Sequence, residues 1–121
     1  MNIKLIAIIL LTALLGCDEP HPTLVCRVKN PTQDLPWLNE IVTKAEEDKA
    51  TRVHKGNYLG KIYLESFKGQ SIFLVEMMMG SGGLAGYLFW CNGQRVFPTK
   101  EETLTLSNSF QKKNLVYSNF P

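Results

Sequence analysis

The sequence predicts an α+β domain in which one helix packs on an antiparallel β-sheet of about four to six strands. Two observations carry this prediction. Apolar residues recur at helical spacing over residues 35–45, and from residue 58 onward they recur mainly at every second position. Turn-forming residues, above all Gly69 and the pair Asn92-Gly93, separate the period-two segments as they do in hairpins. Helix and strands are therefore segregated along the chain, which is typical of the α+β class.

The first sixteen residues have the pattern of an export signal. Lys4 is their only charge, and the mainly apolar run that follows it is about 11 residues long, too short for the roughly 20 that a membrane span needs. The run ends in LLGC at residues 14–17, which resembles the lipobox of bacterial lipoproteins. That resemblance implies cleavage before Cys17 and attachment of a diacylglycerol to its thiol. The alternative is an ordinary signal peptide with an incidental cysteine.

These features divide the chain into a signal peptide (1–16), a lipidated cysteine with a short tether (17–23) and a single small domain (24–121). We expect a cell-envelope protein that its lipid holds on an extracytoplasmic membrane face, either facing the periplasm or at the cell surface. Asp18 and Glu19 follow the anchor directly. Acidic residues there accompany inner-membrane retention in some lipoprotein families and surface export in others, so both locations stay open.

The helix is predicted from Asp34, which can cap the first free amides, to the region of residues 49–52. Pro36 is tolerated in its first turn, and Glu40 and Lys44 are placed to form an ion pair. Its apolar stripe consists of Leu35, Trp37, Leu38, Ile41, Val42 and Ala45.

The strands are predicted from period-two alternation between turns. A short strand is expected before the helix and four after it. In chain order these are residues 24–29, 60–67, 71–79, 87–91 and 94–97. The tail from residue 99 is ambiguous: residues 103–106 alternate like a strand, and residues 114–117 could form another short element.

Three cysteines are present, and lipidation of Cys17 would leave Cys26 and Cys91. In an exported protein, two cysteines that carry no lipid favour one disulfide between them. The alternative is a pair of free thiols that pack as small apolar side chains. Neither cysteine has a second Cys or a His at metal-binding spacing, so no metal site is expected.

Composition and motifs argue against several functions. A formal net charge of +2, with scattered charges, lacks the basic stripe of a nucleic-acid-binding protein. The acidic run at residues 46–48 is interpreted as a solvated face. Gly80, Gly82 and Ala85 form a degenerate dinucleotide fingerprint, but the chain continues into a strand where that motif requires a helix. We therefore expect no cofactor.

Catalytic candidates are few, and we expect that the protein is not an enzyme. His54 has no acidic neighbour in sequence, and its pairing with Cys26 or Cys91 would fail if those thiols are bridged. Glu65 and Glu76 could meet across a hairpin as an acid and base, although solvated strand carboxylates are far more common.

A glycine-rich loop at residues 80–86 follows three consecutive methionines, which cannot all face one side of a strand. Glycine allows the loop to move, and methionine adapts to irregular partners. The predicted partner-binding residues are Met78, Gly80, Gly82, Gly83, Leu84 and Tyr87. The favoured function is a binding or envelope-assembly module with a protein partner, and its oligomeric state stays open. The alternative is an anchored inhibitor of a hydrolase, such as a protease or lysozyme, that inserts this loop.

The helix start LPWLNEI at residues 35–41 and the later Cys91-Asn92-Gly93 turn resemble an uncharacterised family of small Bacteroidota lipoproteins with a PWLxEI motif. The resemblance extends over about residues 34–97. It implies a location and a fold, and no activity.

Overall fold

The computed structural model describes residues 24–78, 84–109 and 114–120, and it has the α+β architecture predicted from the sequence. Four antiparallel strands form one sheet in the order β3-β2-β1-β4. No helix among the described residues is both long and apolar enough to cross a membrane. The elements in chain order are α1 (Pro31–Asp34), α2 (Pro36–Thr51), β1 (Gly60–Phe67), β2 (Gln70–Met78), β3 (Leu84–Trp90), α3 (Lys100–Ser109) and β4 (Leu115–Ser118).

Helix α2 follows the predicted apolar stripe. Leu38 and Ala45 are fully buried, and the predicted pair of Glu40 and Lys44 forms an ion pair of 3.1 Å. The start of the helix differs from the prediction, because the capping position is Leu35 and no side chain caps it. Asp34 belongs to the preceding short helix, where its carboxylate accepts a hydrogen bond from the backbone N–H of Asn30.

The β1–β2 hairpin confirms the predicted pair of strands. Lys68 and Gly69 have φ angles of 52° and 75°, so both turn residues are left-handed, as a two-residue type I′ turn requires. This turn matches the right-handed twist of the strands and fixes a register in which Phe67 lies opposite Gln70.

The sheet is covered on both faces. On one face, α2 packs against strand residues of β1 and β2, and we call this the α2 face. On the other, which we call the α3 face, Leu106 of α3 packs with Ile72 and Val96. The buried residues of the α2 face are Leu35, Leu38, Ala45, Ile62, Phe73, Val75 and Met77.

Residues 103–106, which alternate like a strand in the ambiguous tail, lie within helix α3. The Thr99 hydroxyl accepts from the N–H of Glu102, and the Glu102 carboxylate accepts from the N–H of Thr99, which is a reciprocal capping box. The Thr99 N–H and then the Lys68 ammonium, 3.0 Å from the Glu102 carboxylate, lower the pKa of Glu102. Of the two leucines that alternate with threonines in this stretch, Leu106 is buried, whereas Leu104 is 60% exposed.

The predicted strand at residues 24–29 is a tight turn instead. Cys26 and Arg27 have φ angles of 55° and 64°, and a single antiparallel bridge joins Val25 to Val28. The predicted disulfide is confirmed, since Cys26 is bonded to Cys91 with Cα atoms 5.6 Å apart. This bond fastens the turn to the end of β3.

Two buried polar side chains order the connection between α2 and β1. The Asp48 carboxylate accepts backbone hydrogen bonds from His54, Gly56 and Tyr58, over 2.9 to 3.2 Å. Asn119, just after β4, accepts from the N–H of Gly60 and donates to two carbonyls, so every polar atom of its side chain has a partner.

Candidate partner-binding surface

The candidate surface begins where β3 ends. Gly93 has a φ of 85°, and the chain reverses there so that the N–H of Trp90 donates to the carbonyl of Gln94. Beyond this turn the predicted strand at residues 94–97 is reduced to one bridge, between Phe89 and Arg95. The N–H of Val96 donates to the carbonyl of Leu88, and no further backbone bond to β3 follows in the described residues.

Four side chains form what we call the arginine–aromatic cluster: Tyr87, Phe89, Arg95 and Phe97. The guanidinium carbon of Arg95 lies 4.3 Å from the ring centroid of Tyr87, 5.2 Å from that of Phe97 and 5.6 Å from that of Phe89. These distances are within the range of cation–π attraction. The three rings therefore favour this position of the charge.

The cluster faces solvent. Phe97 is 81% exposed, the highest value among the large apolar side chains that the structure describes, and Arg95 is exposed as well. Among the described residues, no carboxylate lies within ion-pair distance of Arg95. A cation in contact with three rings, one of them exposed, can thus receive an anionic group together with an apolar one.

Next to the cluster lies a stretch of β3 whose edge groups pair with no described residue. Hydrogen bonds of Leu88 and Trp90 to residues 94–96 show that even-numbered residues of β3 direct their N–H and C=O groups away from β2. By the same alternation, the groups of Leu84 and Gly86 point to the edge of the sheet, and no described residue pairs with them there. We call this stretch, from Leu84 to the N–H of Leu88, the free edge.

The predicted partner-binding residues are divided between the two faces of the sheet. Met78 lies opposite Leu84 on the α3 face, where Leu84 is 51% exposed. Tyr87 lies on the α2 face, within the cluster. Residues 84–86, predicted as the end of the glycine-rich loop, belong instead to β3, where they pair with β2. Gly80, Gly82 and Gly83 lie outside the described residues, so the insertion of their loop into a hydrolase stays a prediction. Met77 packs under the helix on the α2 face, whereas Met78 is half-buried on the opposite face.

Sequence reasoning did not single out Arg95 or Phe97. A usable signal was present, because the Asn92-Gly93 turn places residues 95 and 97 on the same face as Phe89 and Tyr87. Pairing the residues before this turn with those after it predicts that the four side chains lie together.

The catalytic candidates are separated. Glu65 pairs in register with Ile72 and Glu76 with Lys61, so the two carboxylates lie four positions apart, about 13 Å along the ladder. The expectation that they meet across the hairpin is wrong, because the turn at residues 68–69 sets a register in which neither carboxylate lies opposite the other. The His54 ring is 2.9 Å from the Glu47 carboxylate, and both candidate thiols are consumed by the disulfide.

Within the described segments, no group of three His, Cys, Asp or Glu side chains is arranged to hold a metal ion. The chain matches no family model, and comparisons with curated proteins and with solved structures find no similar protein. The functional argument therefore rests on the chain's own residues and geometry.

Proposed function

We propose that this protein is a lipid-anchored, extracytoplasmic binding module without catalytic activity, which holds a protein partner through the arginine–aromatic cluster. The observation that carries this proposal is Arg95, held by three aromatic rings beside the 81% exposed Phe97 and unpaired with any described carboxylate. Arginine and aromatic residues supply a large share of the binding energy at protein interfaces.

The Cys26–Cys91 disulfide supports an extracytoplasmic location, since such bonds persist in oxidising compartments. The LLGC motif supplies the anchor at Cys17. From Cys17 to Leu24 there are seven peptide bonds, which allow the domain to lie at most about 25 Å from the anchor. A partner would therefore be held close to the membrane.

The anchor is tested by the mass of the mature protein extracted from membranes. We expect cleavage before Cys17 and a mass increase that corresponds to added acyl chains, and a Cys17→Ala variant should lose both. An unmodified mass for the mature wild-type chain would contradict the anchor.

The binding surface is tested by placing a photo-crosslinking amino acid at position 97 in living cells. Leu104 on α3 is the matched control, because it is also a large exposed apolar residue, at 60% exposure. We expect a discrete protein adduct from position 97 that disappears when Arg95→Gln is added, and no such adduct from position 104. Equal labelling from both positions, or an adduct independent of Arg95, would show that the cluster is not the binding surface.

A further inference from the structure

We infer that the partner supplies an extended, carboxylate-bearing segment, which pairs with the free edge of β3 as an added strand while its carboxylate contacts Arg95. This inference rests on the proposed function and specifies the chemistry of the partner.

The first step concerns the backbone. Among the described strands, the sheet ends at β3 on this side, and residues 94–96 pair only with the second half of β3. In the first half, the N–H and C=O of Gly86 and the N–H of Leu88 point to the edge, and none of them has a described backbone partner there. An extended peptide can satisfy these groups, and main-chain pairing of this kind provides affinity in strand-addition complexes.

The second step concerns access. Gly86 is exposed and lies in the middle of the free edge, and a Cβ at this position would point to the α3 face, 3.2 Å from Cδ1 of Leu74, rather than toward an arriving strand. Glycine within a strand weakens it and often marks a place where another backbone approaches closely. The register of an added strand is also limited, because the N–H of Val96 already donates to the carbonyl of Leu88 and leaves only the N–H of that residue without a described backbone partner at the edge.

The third step concerns charge. Arg95 is paired in register with Phe89, yet its guanidinium lies closer to Tyr87, which is nearer the start of β3. The cation therefore leans along the strand toward the free edge. Side chains of an added strand alternate between the two faces, so every second one would stand on the α2 face beside Arg95. A carboxylate at that position would form a charge-assisted hydrogen bond with the guanidinium that lies over these rings.

The probe is a pool of short random peptides with a fixed central Glu, compared with a matched pool that has Gln at that position. The protein is the full chain as cells produce it, held in detergent micelles. We expect the Glu pool to be enriched and the affinity of selected peptides to fall about tenfold or more in Arg95→Gln, because one charged contact is lost. Arg27→Gln is the control, since Arg27 is also exposed but belongs to the turn fastened by the disulfide.

Two substitutions of Gly86 test whether the peptide pairs with the backbone of β3. Gly86→Pro removes the edge N–H and should abolish peptide binding, whereas Gly86→Ala keeps it and should bind with affinity within a few-fold of wild type. Far-ultraviolet circular dichroism of both variants verifies that the sheet is intact. In the wild type, peptide addition should slow the hydrogen exchange of the Gly86 amide, and this readout does not depend on any variant folding.

Three results would overturn the inference. The first is equal enrichment of the Glu and Gln pools, and the second is an unchanged Gly86 amide with a bound peptide. The third is Arg95-dependent binding of phosphatidylglycerol vesicles with no peptide selected, which would assign the surface to a lipid. If the crosslink at position 97 forms in cells but survives Gly86→Pro, strand addition fails while the proposed binding module stands.

Discussion

The buried carboxylate of Asp48 allows a quantitative test of how the loop before β1 is held. Asp48→Asn keeps the size of the side chain but replaces one carboxylate oxygen by an NH₂ group. In the native protein, Oδ1 accepts from the N–H groups of His54 and Gly56, and Oδ2 accepts from that of Tyr58. An amide has a single acceptor oxygen, so at least one of these N–H donors must then face another donor.

The expected loss follows from these three bonds. Hydrogen bonds to a charged group each contribute about 1.5 to 3 kcal/mol, and an unsatisfied buried donor costs a similar amount. Because Asn retains the acceptor that serves two of the donors, we expect Asp48→Asn to lower the free energy of unfolding by about 2 to 3 kcal/mol. The matched control is Asp34→Asn, which changes an exposed carboxylate with a single backbone bond and should cost less than about 1 kcal/mol.

Urea unfolding of both variants and the wild type measures these differences. The pH dependence is a second readout. Burial alone would raise the pKa of Asp48, but the backbone N–H groups of Tyr58, Gly56 and His54 outweigh it and the pKa is lowered. The stabilisation by the ionised form is therefore complete above the unfolded-state pKa of about 4 and is lost as pH falls through the lower folded-state value.

Accordingly, the gap between wild type and Asp48→Asn should narrow as the pH is lowered from 7 toward 2. Two results would refute this reasoning. One is a loss at pH 7 no greater than that of Asp34→Asn. The other is a gap that stays constant over the whole pH range, because a constant gap would mean that the ionised carboxylate contributes nothing.

Two further changes test the packing around the end of β3. Replacing both Cys26 and Cys91 by alanine should lower the free energy of unfolding by about 4 kcal/mol, the loop-closure value for a separation of 65 residues. Thiol labelling of unreduced, denatured wild type should detect neither cysteine, and two reactive thiols would contradict the bridge. Gly93→Ala should cost over about 2 kcal/mol in urea unfolding, since φ is 85° and the new Cβ would lie 2.8 Å from Cγ of Trp37. Gly69→Ala, at φ 75° with no atom within 4 Å, should cost about 1 kcal/mol, and an equal loss at both glycines would exclude the steric effect.

Elements with strong local signals could be predicted from the sequence. The apolar stripe of α2 and the turn at residues 68–69 each depend on neighbours in the chain, and both have the expected structure. Helix α3 was missed because two leucines and two threonines happened to alternate. The Thr99 and Glu102 pair, a local capping signal, was the stronger evidence for its start.

The remaining differences between prediction and structure arise from contacts with residues that are not neighbours in the chain. Asp48 lies in an acidic run interpreted as a solvated face, and Glu46 and Glu47 are indeed exposed. Asp48 is buried because its carboxylate meets N–H groups six to ten residues later, whose directions depend on the loop conformation. The candidate site also depends on contacts that the local sequence does not specify. Arg95 contacts Tyr87 only because the chain turns back after β3 and pairs Arg95 with Phe89.

The position of the disulfide determines how the domain would carry a mechanical load. Tension arriving through the residues before Leu24 meets Cys26 almost at once, and there the covalent bond passes it to Cys91 at the end of β3. The force therefore enters the sheet at Cys91 and does not pass through the turn and helices that follow Cys26 in the chain, which would otherwise unfold one after another. A domain tethered at its N-terminus and pulled by a bound partner at β3 would thus bear the load along a short covalent path, with most of the fold outside it.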